Sequence, residues 1–228
     1  MLKIDLHIHT KEDPQDIIKY NARKLIDKAA SLGFNVLSIT NHNLITYSEN
    51  LAKYAKKKRI LLIPGVEVTI KGRHVLIYNI TNVDLFMIKS IGDLCMFREK
   101  KYLIIAPHPF FIKLGLSNKL IENIDLFDAI EYTFNYNKYV NINKKAVKTG
   151  RKYSLPLIGG SDAHSLKQFG NNYSLIDAEN NIESVFNAIR NNKIQIIAKP
   201  TPLRKLGVHL SKVVILSNAR RIHRKIYK

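Results

Sequence analysis

The sequence predicts a parallel α/β fold, closed like a barrel and built as one domain. Three observations carry that prediction. Short β-branched runs alternate with amphipathic stretches from residue 2 to about residue 198, no linker, repeat or low-complexity segment interrupts them, and most histidines fall at the ends of the β-like runs. In parallel α/β folds those ends converge on one face, where sites are built. Taken in order, residues 2–8 read as a strand. Residues 17–32 place Ile18, Ala22, Leu25, Ile26 and Ala29 at helical spacing and stop at Gly33, a residue suited to ending a helix. Residues 34–39 read as strand, 49–58 as helix, and 60–63 and 67–78 as extended, with a turn at Lys71-Gly72. Residues 84–99 read as helix, 102–106 and 129–132 as strands, 140–153 as helix, 157–159 as strand, 182–192 as helix and 194–198 as strand. Residues 1–200 then form the barrel domain, and 201–228 an appended, basic segment read as helical.

Composition narrows the function classes. A chain of 228 residues that is 46% hydrophobic and 24% charged has a globular balance rather than a disordered one. At this length folding buries roughly 70% of the unfolded surface, so no covalent staple is needed. A single cysteine, Cys95, excludes an intrachain disulfide framework and a cysteine-based zinc knuckle. The apolar runs at 61–66 and 103–107 are far shorter than the ~20 residues of a membrane helix. The opening MLKIDLHIHT sets Asp5 and two histidines where a signal peptide needs an apolar run. The reading is of a soluble, cytoplasmic chain. The net charge of +19 would suit a polyanion, yet lysine, asparagine and isoleucine are abundant throughout, as in a general compositional bias. The run at 56–59 suits the C-terminal end of a helix, and the tail at 220–228 is the best candidate for nucleic-acid contact.

Six of the eight histidines sit at or near the ends of extended runs: His7, His9, His42, His74, His108 and His164. Asp5, Asp13, Glu67 and Asp162 accompany them. Strand alternation would put Asp5, His7 and His9 on one face, where imidazoles two residues apart, ~7 Å between Cα atoms, can converge on one ion. A bare HxH is also common as a pair of surface histidines. Asp162-Ala163-His164 follows Gly159-Gly160-Ser161, and the alternative there is a helix N-cap by Ser161 or Asp162. Glu67 lies just past Pro64-Gly65-Val66 in an apolar setting where an unpaired carboxylate is costly, and a salt bridge to Lys71 or Arg73 is its alternative. His108 is held between two prolines. His42 is flanked by Asn41 and Asn43, and His74 could be a strand-surface residue. His209 and His223, in the basic tail, read as surface residues. The six together are far more specific than any one.

Five segments, Asp5-Leu6-His7-Ile8-His9-Thr10, Thr40-Asn41-His42-Asn43, Pro64-Gly65-Val66-Glu67, Ala106-Pro107-His108-Pro109 and Gly160-Ser161-Asp162-Ala163-His164, occur in the order found in the PHP (polymerase and histidinol phosphatase) family. The chain resembles that family of metal-dependent phosphoesterases. The resemblance implies a distorted (β/α)7, TIM-like barrel with two or three divalent ions at its C-terminal mouth. His7, His9, Glu67 and Asp162 would hold one, and Glu67 would bridge to a second shared with His74 and His108. His42, His164 and an acidic residue after the first motif would hold a third. The aspartate usual five residues beyond the second histidine is Pro14 here, leaving Asp13 as the nearest substitute and Asp16 as the alternative. The usual aspartate before the second-motif histidine is Asn41.

An imidazole-rich ligand set suits Zn, Mn or Fe. His7, His9, Glu67, His108, Asp162 and His164 would form the catalytic set, supporting attack on phosphorus by a bridging hydroxide. Asp5 would orient a ligand imidazole, and Lys11 and Lys167 are candidate phosphate contacts. The implied substrate is a small phosphorylated molecule. A nuclease acting on nucleic-acid ends through the basic surface or tail is the alternative, and an amidohydrolase-like metal hydrolase or a non-catalytic barrel module are more distant rivals.

Overall fold

Nine strands wrap into one nearly closed barrel in a computed structural model that describes residues 1–200 apart from 112–113, 135 and 137–140. The appended segment 201–228 lies outside the described residues. The strands are β1 (Leu2–Asp5), β2 (Val36–Ile39), β3 (Leu61–Ile70), β4 (Arg73–Tyr78), β5 (Leu103–Ala106), β6 (Ala129–Tyr132), β7 (Leu157–Gly159), β8 (Asn172–Ile176) and β9 (Ile194–Ala198). The helices are α1 (Ala22–Ser31), α2 (Glu49–Lys57), α3 (Asn82–Met87), α4 (Asn118–Glu122), α5 (Asn143–Tyr153) and α6 (Ile182–Arg190).

The strand order is β7-β6-β5-β4-β3-β2-β1-β8-β9. β1, β2 and β3 pair in parallel, as do β5, β6 and β7. The barrel is therefore present, but its sheet is mixed rather than wholly parallel. β4 runs antiparallel to β3 and β5, and β8 antiparallel to β1 and β9. The first reversal follows from Lys71-Gly72: both residues have positive φ, 47° and 78°, as a tight two-residue hairpin turn requires. A parallel return would need a crossover of a dozen or more residues, and none is available there. Strand β8 is unexpected because Asn172 and Ser174 break its apolar run.

Those two polar residues make the closure. Ser174 Oγ accepts from the Gly159 amide at 2.8 Å and donates to its carbonyl at 3.2 Å. Asn172 Nδ2 donates to the carbonyls of Tyr132 and Gly160 at 2.9 and 2.7 Å. Side chains of β8 thus take the place of a strand ladder against β7. A Cβ at Gly159 would meet the Tyr173 carbonyl at 2.9 Å and Ile196 Cγ2 at 3.0 Å, so only glycine permits this approach.

Apolar residues fill three layers. Ile4, Ile63, Leu76, Tyr78, Leu103, Ile105 and Ile158 pack in the interior with Val185, Phe186 and Ile189 of α6. Arg190, at the end of α6, bonds Asp128 and the carbonyls of Lys100 and Tyr102. α6 therefore seals the end where β5 and β6 begin and leaves the opposite mouth for the site. Outside, α1 and α2 cover Leu37, Ile39 and Leu62. Leu94, Phe97, Leu116, Leu120 and Ala146 cover Val68, Ile77, Ile104 and Ile130.

Several helices are shorter than their apolar spacing suggests, because side chains claim backbone amides locally. α1 begins at Ala22, capped by Asn21, which accepts from the Lys24 amide. Before it, Asp13 Oδ1 accepts from the amides of Gln15 and Asp16 and holds that stretch as a turn. The helix expected over 84–99 divides into α3 and a 3-10 turn, Gly92–Phe97, because Asp93 captures the amides of Lys89 and Ser90 between them. α5 begins at Asn143, so the expected start at 140 falls outside the described residues. α4 and a short 3-10 turn, Ile124–Leu126, are additions. Among the described residues no helix is long and apolar enough to cross a membrane.

The closure at Gly159 is testable. A methyl group there forces β7 from β8, and overpacking of this kind costs about 1–3 kcal/mol. Gly159→Ala should lower the melting temperature by several degrees in calorimetry, and an unchanged melting temperature would contradict this account of the seam.

Candidate metal centre

The first motif does not keep strand alternation. β1 ends at Asp5, and Leu6, which packs with the interior residue Ile4, and His7 line the same interior space. The cause is the Asp5 side chain. Its Oδ1 accepts from the His7 amide at 3.2 Å and from the Ser161 amide at 3.1 Å, which kinks the chain and ties the end of β1 to the loop after β7. Burial pushes the Asp5 carboxyl up to about 7, against those hydrogen bonds. Asp5 therefore shapes the backbone and does not orient an imidazole. The shared face expected for Asp5, His7 and His9 is corrected accordingly.

Beyond the kink the donors converge. His7 Nε2 and His9 Nε2 lie 3.3 Å apart. His7 Nδ1 is 2.8 Å from Glu131 Oε1, and His9 Nδ1 is 2.8 Å from Asp13 Oδ2. Each ring thus has a carboxylate behind its Nδ1 and presents its Nε2 to the other ring. Asp162 Oδ1 stands 3.5 Å from His7 Nε2 and 3.3 Å from His9 Nε2. Two imidazole Nε2 atoms and a carboxylate oxygen turned on one point form a donor arrangement that suits a cation. The donor set thus fits a metal.

Glu67 lies at the centre, buried, on the apolar strand β3. Its Oε2 is 3.4, 3.2 and 3.1 Å from the Nε2 atoms of His7, His9 and His42. Its Oε1 is 2.8 Å from His74 Nδ1 and 3.1 Å from His108 Nε2. One carboxylate therefore divides between two groups of imidazoles. His74 reaches it because the β3–β4 register pairs Glu67 with Leu76, two residues away on the same face. The cluster contains four buried donor trios: His7–His9–Asp162, His7–Glu67–His108, His9–Asp13–His42 and His42–Glu67–His74.

The electrostatics are strongly coupled. Burial pushes the Glu67 carboxyl up, but His74, His7, His42 and His108 together outweigh it and hold the group well below the usual carboxylate range. The same contest, with His7, His9 and His164 prevailing, depresses Asp162. Burial pulls His7 down, yet Glu131, Asp162 and Glu67 raise it well above the ordinary imidazole value. His9 rises likewise through Asp13, Asp162 and Glu67. For His74 burial wins and the pKa falls. Two site residues also hold strained backbones, His108 at φ 26° and Asp162 at φ 45°. Such conformations cost of order 1–3 kcal/mol and persist where surroundings over-determine them.

At the rim, Asp13 is heavily engaged. Its Oδ2 accepts from the His42 amide at 2.9 Å and faces His42 Nδ1 at 2.9 Å, besides His9. Asp16 Oδ2 lies 3.3 Å from His164 Nε2 and 3.4 Å from His42 Nδ1. Asn41, where an aspartate is usual, donates from Nδ2 to the hydroxyls of Thr10 and Thr46 at 2.9 and 2.7 Å. Its Oδ1 accepts from the Thr10 amide at 2.8 Å, so the asparagine clamps the two motif loops together. Lys11 and Lys167 are exposed. Glu131 is the residue that sequence reasoning overlooks. Its signal is a glutamate in the apolar run Ala129–Tyr132, the same anomaly that singles out Glu67.

Comparison with known proteins agrees with this geometry. A family model described as "PHP domain" matches residues 5–102, and a second, "PHP-associated", matches residues 141–194. A curated relative, an uncharacterized protein of Methanocaldococcus jannaschii, is 27% identical over 183 residues, covering 75% of this chain and 69% of that protein. Among solved structures, a two-domain protein from Bacteroides vulgatus containing a predicted PHP-like metal-dependent phosphoesterase superposes with a TM-score of 0.67 at 19% identity, over 86% of this chain and 64% of that one. The lesion-specific endonuclease PfuEndoQ from Pyrococcus furiosus gives 0.60 at 16% identity, over 86% of this chain and 57% of that one. The chain thus spans less than two-thirds of either structure. The first model takes in the segments bearing His7, His9, His42, Glu67 and His74, the second the segment bearing Asp162 and His164, and all of them meet at one mouth: the chain carries a PHP domain with a PHP-associated segment after it.

Proposed function

We propose that this chain hydrolyses phosphate esters, with small phosphorylated molecules as substrates and Zn, Mn or Fe as its ions. One observation carries the reading: the facing Nε2 atoms of His7 and His9, 3.3 Å apart above a carboxylate shared with three further imidazoles. His7, His9 and Asp162 would hold one ion, with Glu67 bridging to a second on His74 and His108. For a third, His42 and His164 would be joined by Asp13, which forms a buried donor trio with His9 and His42, or by Asp16, whose Oδ2 lies 3.3 Å from His164 Nε2 and 3.4 Å from His42 Nδ1. Divalent ions held there lower the pKa of bound water from about 16 towards about 7 and offset phosphoryl charge.

The residues of the chain supply the remainder. Asp13 holds His9, and Glu131 holds His7, with Nε2 free for a ligand bond. The buried donors keep bulk water from the interior side. His164, at 28% side-chain exposure, and Asp16, at 19%, are the open flank, so an ester approaches from there. The second reading, a nuclease acting on nucleic-acid ends, draws on the net charge of +19 and on the fold shared with a lesion-specific endonuclease. A Mn- or Zn-supplemented screen of mononucleotides, sugar phosphates, an aryl phosphate and 5′-labelled oligonucleotides separates the two readings. Turnover of small esters alone supports the first, and selective oligonucleotide cleavage supports the second.

Two outcomes follow from the donor set. His9→Ala or Asp162→Ala should reduce bound metal, read by elemental analysis, and lower aryl phosphate hydrolysis at least 100-fold while far-ultraviolet circular dichroism is retained. Undiminished hydrolysis would refute the assignment.

The second outcome concerns pH. His7 and His9 have raised pKa values in the folded chain. Their stabilisation of the metal-free protein is complete below the unfolded value of about 6.5 and is lost as pH rises through the folded value. Glu67 and Asp162 are depressed, so their contribution is present above about 4.3 and is lost as pH falls through the folded value. Metal replaces the imidazole protons as pH rises. Chelation should therefore lower the melting temperature more at pH 8.5 than at pH 6, and an equal drop at both would count against the account.

A further inference from the structure

We infer that Glu131 is a positioning residue that sets one ligand of each of two neighbouring ions; the inference rests on the metal-centre reading above. Glu131 projects from β6 into the barrel interior beneath the cluster and is 1% exposed. Its two oxygens make different contacts. Oε1 lies 2.8 Å from His7 Nδ1, and Oε2 accepts from the backbone amide of His108 at 2.8 Å. Among the described residues its one ion-pair partner is His7. A buried carboxylate without a lysine or arginine is costly unless it is thoroughly hydrogen-bonded, and here both bonds lead directly to residues of the centre.

Each bond has a distinct effect. With a metal bound, the first keeps the His7 proton on Nδ1 and leaves Nε2, which faces His9, Glu67 and Asp162, as the ligand atom. The second holds the amide of a residue whose φ is 26°, so it fixes the strained turn that aims the His108 ring at Glu67 Oε1. His7 belongs to the group on one oxygen of Glu67, His108 to the group on the other. Glu131 thus sets both sides of the bridge from below, as Glu67 joins them from within. Gly160 preserves the arrangement, since a Cβ there would stand 2.5 Å from Glu131 Oε1 and 3.0 Å from His7 Cβ.

Glutamine at 131 keeps the size but has one acceptor oxygen, and two N–H groups require one. If that oxygen takes the His108 amide, the new NH2 group faces His7 Nδ1 and drives the imidazole proton to Nε2. If it takes His7, the NH2 group abuts the His108 amide.

The test is cobalt titration of the metal-free full chain, followed by its visible absorption. Glu131→Gln should bind at least one Co2+ 10–100-fold more weakly than wild type, the range typical of lost outer partners of metal ligands, with an altered absorption band. Tyr78→Phe is the control for a purely structural disturbance of the same interior, because it removes a hydroxyl that donates to the Leu6 carbonyl at 3.0 Å. It should cost stability and leave cobalt affinity unchanged. Wild-type affinity and spectrum in Glu131→Gln would overturn the inference alone, whereas a wild-type chain that binds no cobalt would overturn the metal-centre reading beneath it. Should the glutamine variant fail to fold, the long-range 1H–15N spectrum of the zinc-loaded wild type decides. His7 protonated at Nδ1 supports the inference, and His7 protonated at Nε2 overturns it.

Discussion

The Glu67 carboxylate, buried in an apolar strand and shared by five imidazoles, is the constraint on which the remaining structure depends. A carboxylate taken out of water with no fixed cation is strongly destabilising, and groups that can carry or bind positive charge must gather around it. Three strand ends, those of β1, β2 and β5, and the β3–β4 hairpin deliver the five imidazoles. The barrel is the device that makes this possible, since it brings residues from positions 7 to 164 to one mouth while α6 and its Arg190 contacts close the other end. The stability of the metal-free chain and the chemistry of the loaded one are two consequences of the same crowding.

The backbone bends where the site requires it. Asp5 breaks the alternation of β1 so that His7 and His9 both turn inward, and the Asp13 turn delays α1 so that two aspartates reach the rim. His108 and Asp162 hold left-handed conformations that their neighbours enforce. In each case a buried carboxylate or amide captures backbone N–H groups that regular structure would otherwise use. Carboxylates here do more than bind: Asp5, Asp13 and Glu131 arrange backbone and imidazoles so that Glu67, Asp162 and Asp16 face the centre.

Much of this was legible in the sequence, because its signals were local. β6, β7 and β9 have the expected bounds, and Lys71-Gly72 marks its hairpin because only a narrow set of residues accepts two positive φ angles. The donors were legible as a group, since polar residues recurring at the ends of apolar runs have few structural reasons to be there. The misses arise where tertiary contacts override local pattern. β8 hides behind Asn172 and Ser174, whose polarity serves the seam with β7. The helix over 84–99 keeps its spacing but loses its amides to Asp93. Asp5 is expected to orient a ligand imidazole, but the carboxylate found behind His7 is Glu131, because a partner 124 positions away leaves no trace in spacing.

Occupation by cations of the points where these imidazole nitrogens and carboxylates meet is tested most directly by anomalous scattering from crystals grown with Mn or Zn. Separate peaks are expected within coordination distance of His7, His9 and Asp162 on one side of Glu67 and of His74 and His108 on the other. A map without peaks there, from crystals in which the same metal is detected at full occupancy elsewhere, would contradict it.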